Sequence, residues 1–410
     1  MGDPEPRPGS TPGRNRRLTD VAAAVAVALP TALAGAAVGA ATVLSRRLLT
    51  PDYRMVDDVT VASVSDDEIV LGRTPVTVLP GTYGLWVDGG AGHCRVGAIR
   101  SIHPGRGTVT RALLGVDVGR LSPGPARWDP YVFAGTPQDA LGLPTEHVEI
   151  AGEPGVLPAW VVPGAADARG TGTWAVLVHG RGARREEALR ALPTLHALGL
   201  TSLVTTYRND QEAPPGPDGR YYLGLAEWRD VESAVRFALA RGAERIVLVG
   251  WSMGGAIVLQ LLDRSPLAEH VAAVVLDGPV VDWAEVLRFH LGQYHAPWPV
   301  LAAATRILRH PRQGRWLIGL HEPVDLSRTD WVTRSAELRH PMLIVHSHDD
   351  DVVPGAPSMR LAALRPDLVT FVDDGVARHC QEWNVDPQRW EGVVRDFLTT
   401  TLSLGAPSAS

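Results

Sequence analysis

Three short stretches of this chain combine residue types and spacing suited to catalysis. Ser252 lies in Gly250-Trp251-Ser252-Met253-Gly254, with Gly255 next in line. Residues 344–354 read IVHSHDDDVVP, and residues 373–384 read DDGVARHCQEWN. A serine hydroxyl is a weak nucleophile near neutral pH. It needs a base within hydrogen-bond reach, and that base needs a carboxylate to orient it. The downstream stretches supply both types, in the chain order serine, acid, histidine. The G-x-S-x-G spacing alone says little in a chain with 42 glycines among 410 residues. Its weight comes from the elements around it.

From about residue 141 the pattern alternates between strands and helices. EHVEIAG and LPAWVVP read as strands, and TWAVLVHG is a continuous apolar run ending at Gly180. TSLVTTYR, RIVLVG, VAAVVLDG, PMLIVHS and LVTFVDD read as further strands. LAEWRDVESAVRFALARG and PQRWEGVVRDFLTTTL read as amphipathic helices. Continuous apolar strands separated by helices imply a doubly wound, mainly parallel sheet. Ser252 then falls where a strand ends and a helix begins, the setting of a nucleophile elbow. There the serine is strained, and side chains at positions 250 and 254 would collide with neighbouring backbone. Both chemical stretches follow strands, at the carboxyl edge where a parallel sheet carries its site.

In order and spacing, LVHGRG, LVGWSMGG, HSHDDDVVP and RHCQEWN resemble the α/β-hydrolase superfamily, nearest its esterase and prolyl-oligopeptidase-like branches. The resemblance covers about residues 141–402. It implies Ser252 as nucleophile, Asp350 as the acid of an H-G-x-x-D-x-x-V-P-like stretch, and His379 as the base. Ser347 stands where that pattern has glycine. Asp277, after the preceding strand, is the rival acid. Two backbone N–H groups should form the oxyanion hole: Met253, after the nucleophile, and Arg181, after LVHG, with Gly182 as the neighbouring choice. The implied activity is cleavage of a carboxylic ester, amide or thioester through an acyl-enzyme on Ser252. The substrate would be a small-molecule or lipid-like ester, and no metal or organic cofactor is called for. The same triad would serve an acyltransferase or a peptidase, though the long propeller of the oligopeptidase branch is absent. A non-catalytic, membrane-anchored binding protein of this fold is the rival from another class.

Other features bear on function. His346-x-His348-x-Asp350 matches the opening of an H-x-H-x-D-H metal motif, but Asp351 stands where its last histidine belongs. Arg181, Arg184 and Arg185 flank a helix start and would contact an acidic substrate group unless they pair with local carboxylates. About sixty residues, 281–339, lie between two strands without a strand pattern of their own. They read as a helical lid. Trp283, Phe289, Tyr294, Trp298, Trp316 and Trp331 give this insert aromatic weight, and its tryptophans and Phe289 are expected to line an apolar acyl pocket favouring chains longer than acetyl.

The rest of the chain sets limits. All 39 basic residues are arginine, which excludes a lysine nucleophile, and a net charge of −6 gives no sign of nucleic-acid binding. Cys94 and Cys380 form no metal or redox motif. Residues 1–20 read as a disordered basic tail. Residues 21–44 carry no charge over 24 positions and are expected to form a transmembrane helix or signal anchor. The catalytic domain would then lie outside the cytoplasm on a single-pass anchor, or be secreted if the segment is cleaved near residues 38–40. Short Val-rich runs between Gly/Pro turns make residues 51–140 a small β-rich region. Residues 403–410 read as a flexible tail.

Overall fold

The computed structural model describes residues 33–166, 172–293, 297–373 and 375–404. Its first element is a helix, α1, over residues 33–49. Ala41, Ser45 and Leu49 recur every four residues along it and are buried, so they share one face. Ala37, Leu44 and Leu48 pack against the same core. The Arg181 side chain closes the carboxyl end of α1, its Nε donating to Leu48 O at 2.7 Å and its Nη2 to Arg47 O at 2.7 Å. A guanidinium is well matched to the free carbonyls of a helix end. These contacts correct the expectation of a transmembrane helix. Residues 21–32 lie outside the described residues, and no helix among the described residues is long and apolar enough to cross a membrane. The single-pass anchor, and the membrane partnership and extracytoplasmic placement built on it, fall with that correction.

The region that follows is a closed barrel. Strands β1 (Val59–Val64), β2 (Glu68–Gly72), β3 (Tyr83–Val87), β4 (Gly92–His103), β5 (Thr108–Val118) and β6 (Gly124–Asp129) close in the order β1-β2-β5-β4-β3-β6. Every neighbouring pair is antiparallel. Alternation along β1 puts Val59 and Val61 inside with Ile69, Leu71, Leu85 and Val96, as a period of two requires. Closure leaves no unpaired edge. Arg111 is buried at the barrel's end, donating to the carbonyls of Gly97, Thr77, Leu79 and Gly81 at 2.6–3.0 Å. With its donors so satisfied, the buried charge also ties the loop before β3 to the barrel.

A short helix, α2 (Pro137–Leu141), leads into the α/β domain. Its strands are β7 (Glu146–Gly152), β8 (Gly155–Val162), β9 (Thr173–Val178), β10 (Thr201–Thr205), β11 (Arg245–Trp251), β12 (Val271–Asp277), β13 (Met342–Val345) and β14 (Val369–Val372). They form one sheet in the order β14-β13-β12-β11-β9-β10-β8-β7. The strands from β9 onward are parallel to their neighbours, whereas β8 runs antiparallel to β10 and pairs with β7 as a hairpin. Successive residues of β9 point to opposite faces. Val176 and Val178 enter one core and Ala175 and Leu177 the other. Helices α3 (Leu192–Ala197) and α11 (Pro387–Thr401) cover the second face, and α4 (Trp228–Ala240) and α5 (Met253–Arg264) cover the first. Helix α9 (Ala356–Leu364) precedes β14, and α10 (Glu382–Val385) precedes α11.

The insert between β12 and β13 contains α6 (Trp283–Gln293), α7 (Trp298–Arg309) and α8 (Pro311–Leu317). Val300, Ala304, Ile307 and Leu308 bury one face of α7 in the same core as α1, α4 and α5. Arg46 Nε donates to Leu317 O at 2.9 Å, linking the end of α1 to α8.

Candidate active site

The site begins with a strained residue. Ser252 has φ 51° and ψ −117°, a left-handed region that costs a non-glycine residue energy and persists only where its surroundings fix it. Two backbone bonds do so: Ser252 N donates to Asp277 O at 3.0 Å, and Val280 N donates to Ser252 O at 3.1 Å. The glycines have steric reasons. A Cβ on Gly254 would stand 2.0 Å from Val178 O, and one on Gly250 would stand 2.8 Å from the Gly254 carbonyl carbon. Helix α5 starts at Met253 directly after the serine, so its first N–H groups lack intrahelical partners.

His379 and Asp350 meet Ser252 from two other loops. His379 Nε2 is 2.8 Å from Ser252 Oγ, and His379 Nδ1 is 2.7 Å from Asp350 Oδ2. Asp350 is itself held. Its Oδ1 accepts the N–H groups of Val352 and Val353, both at 2.8 Å, and His346 Nε2 approaches its Oδ2 at 3.2 Å. Burial raises the Asp350 pKa, but hydrogen bonds from His346 and His379 outweigh that and hold the carboxyl well below its ordinary range. For His379, burial disfavours the charged ring. The hydrogen bond and charge of Asp350, with the charges of Glu187 and Asp277, reverse this and raise its pKa above the ordinary 6.5.

The other candidate residues are placed as follows. Asp277 does not reach His379; its Oδ2 accepts from Trp390 Nε1 at 2.9 Å. His346 and His348 diverge. His346 is buried on Ser358 Oγ and the Val353 carbonyl, whereas His348 is exposed and faces Asp373. Arg185 pairs with Glu212 at 2.6 Å, and Arg184 lies near Asp129 and Glu186 at 3.8 and 3.9 Å. Arg181 borders the site, and Gly182 next to it has φ +65°. The backbone N–H of Gly180, just before Arg181, donates to Glu187 Oε2 at 2.6 Å.

Around Ser252 lies a cavity of about 120 Å³, bordered by Pro130, Tyr131, Gly180, Arg181, Ala183, Glu187, His379 and Cys380. None of these belongs to the insert, which corrects the expectation that its aromatics line an acyl pocket. Trp283 and Trp331 are buried in the core that the insert shares with the α/β domain, Trp283 donating to Leu223 O at 3.0 Å, while Trp298 and Trp316 face solvent. Tyr294 lies outside the described residues. The wall comes instead from the segment leaving the barrel. Asn384, five residues after His379, anchors that segment, its Nδ2 donating to Pro130 O at 2.8 Å and to Thr82 O at 2.7 Å. Sequence reading missed Tyr131 and the wall-forming role of Glu187. Tyr131 lies outside the region that resembles a known family, and no local motif marks it.

Two stretches of the chain match known family models. Residues 176–306 match the family model described as alpha/beta hydrolase fold, and residues 60–129 match a domain of unknown function, DUF8805. An uncharacterized protein of Mycobacterium tuberculosis is 28% identical over 256 residues, which cover 61% of this chain and 77% of that protein. The solved esterase Pf2001 of Pyrococcus furiosus is 17% identical with a TM-score of 0.48, the alignment covering 65% of this chain and 96% of that one. The esterase RhEst1 of Rhodococcus sp. ECU1013 is 20% identical with a TM-score of 0.44, covering 63% and 99%. Residues 176–306, which match the family model, lie within the domain built on the eight-stranded doubly wound sheet, with its serine on the sharp turn after β11, so this region has the α/β-hydrolase fold.

Proposed function

We propose that the protein is a serine hydrolase that cleaves carboxylic esters with short acyl groups through an acyl-enzyme on Ser252. The observation that carries this reading is the hydrogen-bonded line from Ser252 Oγ through His379 to Asp350, at 2.8 and 2.7 Å. With Nδ1–H donating to Asp350, the His379 Nε2 lone pair accepts the Ser252 proton as Oγ attacks the ester carbonyl. The tetrahedral oxyanion would be held by the N–H groups of Met253 and Arg181. Two facts support those donors. Met253 opens a twelve-residue helix, whose N-terminus favours negative charge, and the preceding Gly180 N–H is already taken by Glu187. His379 then passes its proton to the leaving alkoxide. A water deprotonated by His379 releases the acid and restores Ser252.

The acyl preference follows from volume. The cavity of about 120 Å³ falls well short of the ~300–1,000 Å³ of drug-sized ligand sites. It admits an acetyl or propionyl group and leaves little room for a peptide side chain. A 4-nitrophenyl ester series from acetate to dodecanoate, run on the wild type and Ser252→Ala, tests both parts. The highest kcat/KM should fall at two to four carbons, with no turnover by Ser252→Ala above background. A rise through octanoate would sink the short-acyl reading, and an active Ser252→Ala would sink the mechanism.

A further inference from the structure

Behind the triad lies a second pair of acids that the mechanism above does not use. Asp277 ends β12 and Glu382 begins α10, and both side chains are buried. Each has one oxygen accounted for: Asp277 Oδ2 accepts from Trp390 Nε1 at 2.9 Å, and Glu382 Oε1 accepts from Ser347 N at 2.9 Å. Each also has one oxygen without a partner, Asp277 Oδ1 and Glu382 Oε2. The two side chains lie close enough to influence each other directly, yet no donor reaches either orphan oxygen. Two ionised carboxylates offer only acceptors to each other, so this contact needs a proton. Two like charges touching in a buried site would also repel strongly enough that one stays neutral. A single proton held between them would give both orphan oxygens a partner.

The position of the pair gives this proton a consequence. Asp277 O accepts the Ser252 N–H that holds the strained turn. Glu382 lies three residues after His379, and the Ser347 N–H it accepts lies three residues before Asp350. The pair therefore joins the three segments that carry Ser252, Asp350 and His379. We propose that Asp277 and Glu382 share one proton while the enzyme works, and that this bond makes Glu382 a positioning residue for the triad. The proposal rests on the serine-hydrolase reading for its catalytic consequence, but not for the shared proton itself. Burial, and then the neighbouring Asp277, push the Glu382 carboxyl well above its ordinary range, in keeping with a protonated acid. The other charged or titratable groups close to this network are Arg190, Glu187, Asp350, His379 and Cys380. Arg190, whose charge is felt most by Asp277 among the nearby acids, donates through Nη1 to Cys380 O at 2.7 Å and to Asn384 Oδ1 at 3.3 Å.

Glu382→Gln and Glu382→Leu, compared with the full-length wild type, provide the test. A glutamine amide donates through Nε2 to Asp277 Oδ1 and accepts from Ser347 through Oε1, so it replaces the proton with a permanent donor. Infrared difference spectra at neutral pH should show the carbonyl stretch of a protonated carboxylic acid in the wild type and its loss in Glu382→Gln. Hydrolysis of 4-nitrophenyl acetate should survive in Glu382→Gln within about threefold. It should also persist to higher pH, because no shared proton remains to be lost. Glu382→Leu should lower kcat by about 10- to 100-fold at little change in KM, the scale expected of a misplaced catalytic group. Spectra that do not differ between wild type and Glu382→Gln would overturn the shared proton. A Glu382→Gln variant as impaired as Glu382→Leu would overturn the positioning role. If the acid band is lost as expected while the wild type turns over no ester, the shared proton stands and the hydrolase reading fails.

Discussion

His379 Nε2 stands 2.8 Å from Ser252 Oγ across a sequence separation of 127 residues. In the proposed mechanism His379 serves as base only while that nitrogen is unprotonated. Its pKa is raised above 6.5, chiefly by Asp350 acting against burial. Activity should therefore be full above that raised value and lost as pH falls through it. The acidic limb of kcat/KM reports the free enzyme, so its midpoint should lie above 6.5. Glu187 is one of the charges that raise it. Glu187→Gln keeps an acceptor for Gly180 N–H and removes the charge, so it should move the limb to lower pH. A limb that stays put or moves upward would contradict this electrostatic account.

The identity of the acid gives a second prediction. Asp350 meets His379 at 2.7 Å, whereas Asp277 binds Trp390. Asp350→Asn should lower kcat by up to about 10⁴-fold by disturbing the histidine's tautomer. Asp277→Asn should cost far less. Steady-state kinetics of the two variants would reverse the assignment if their ranking were reversed.

Much of the α/β domain is legible in the sequence, because its strands are apolar runs of the right length bounded by glycines. β9 falls inside TWAVLVHG and β13 inside PMLIVHS, and β11 extends RIVLVG by one residue, Trp251. Ser252, Asp350 and His379 are legible for a different reason: they sit in short motifs tied to strand ends. The N-terminal helix misled because an apolar, alanine-rich segment looks the same whether its partner is lipid or protein. Only the four-residue spacing of Ala41, Ser45 and Leu49 on a buried face distinguishes them. The insert misled for a similar reason, since aromatic content does not say whether Trp283 and Trp331 face a ligand or the core beneath them. Tyr131 reaches the site through a contact between the barrel's exit and the α/β domain, which no local pattern encodes.

Tyr131 therefore carries a prediction about specificity. It closes one side of the roughly 120 Å³ cavity. Tyr131→Ala should enlarge that space and shift the best 4-nitrophenyl ester toward longer acyl chains. Each added methylene that becomes buried is worth up to ~0.8 kcal/mol, or about fourfold in kcat/KM. An unchanged acyl profile in Tyr131→Ala would mean that another wall limits the chain.

Gly254 tests the packing beneath the turn. With a Cβ only 2.0 Å from Val178 O, Gly254→Ala must push β9 and α5 apart. The expected loss is about 1–3 kcal/mol of unfolding free energy, read by urea denaturation, as for other overpacked cores. Stability equal to wild type would show that the turn has slack enough to take a methyl group.

The central claim is that Ser252 is a nucleophile activated by His379. A fluorophosphonate probe followed by peptide mapping tests it most directly, because the probe reacts with an activated serine whatever the natural ester. The account predicts one adduct, on the peptide carrying Ser252, absent in Ser252→Ala and formed far more slowly in His379→Ala. A folded wild-type protein that takes up no label, or takes it up at another residue, would contradict the account.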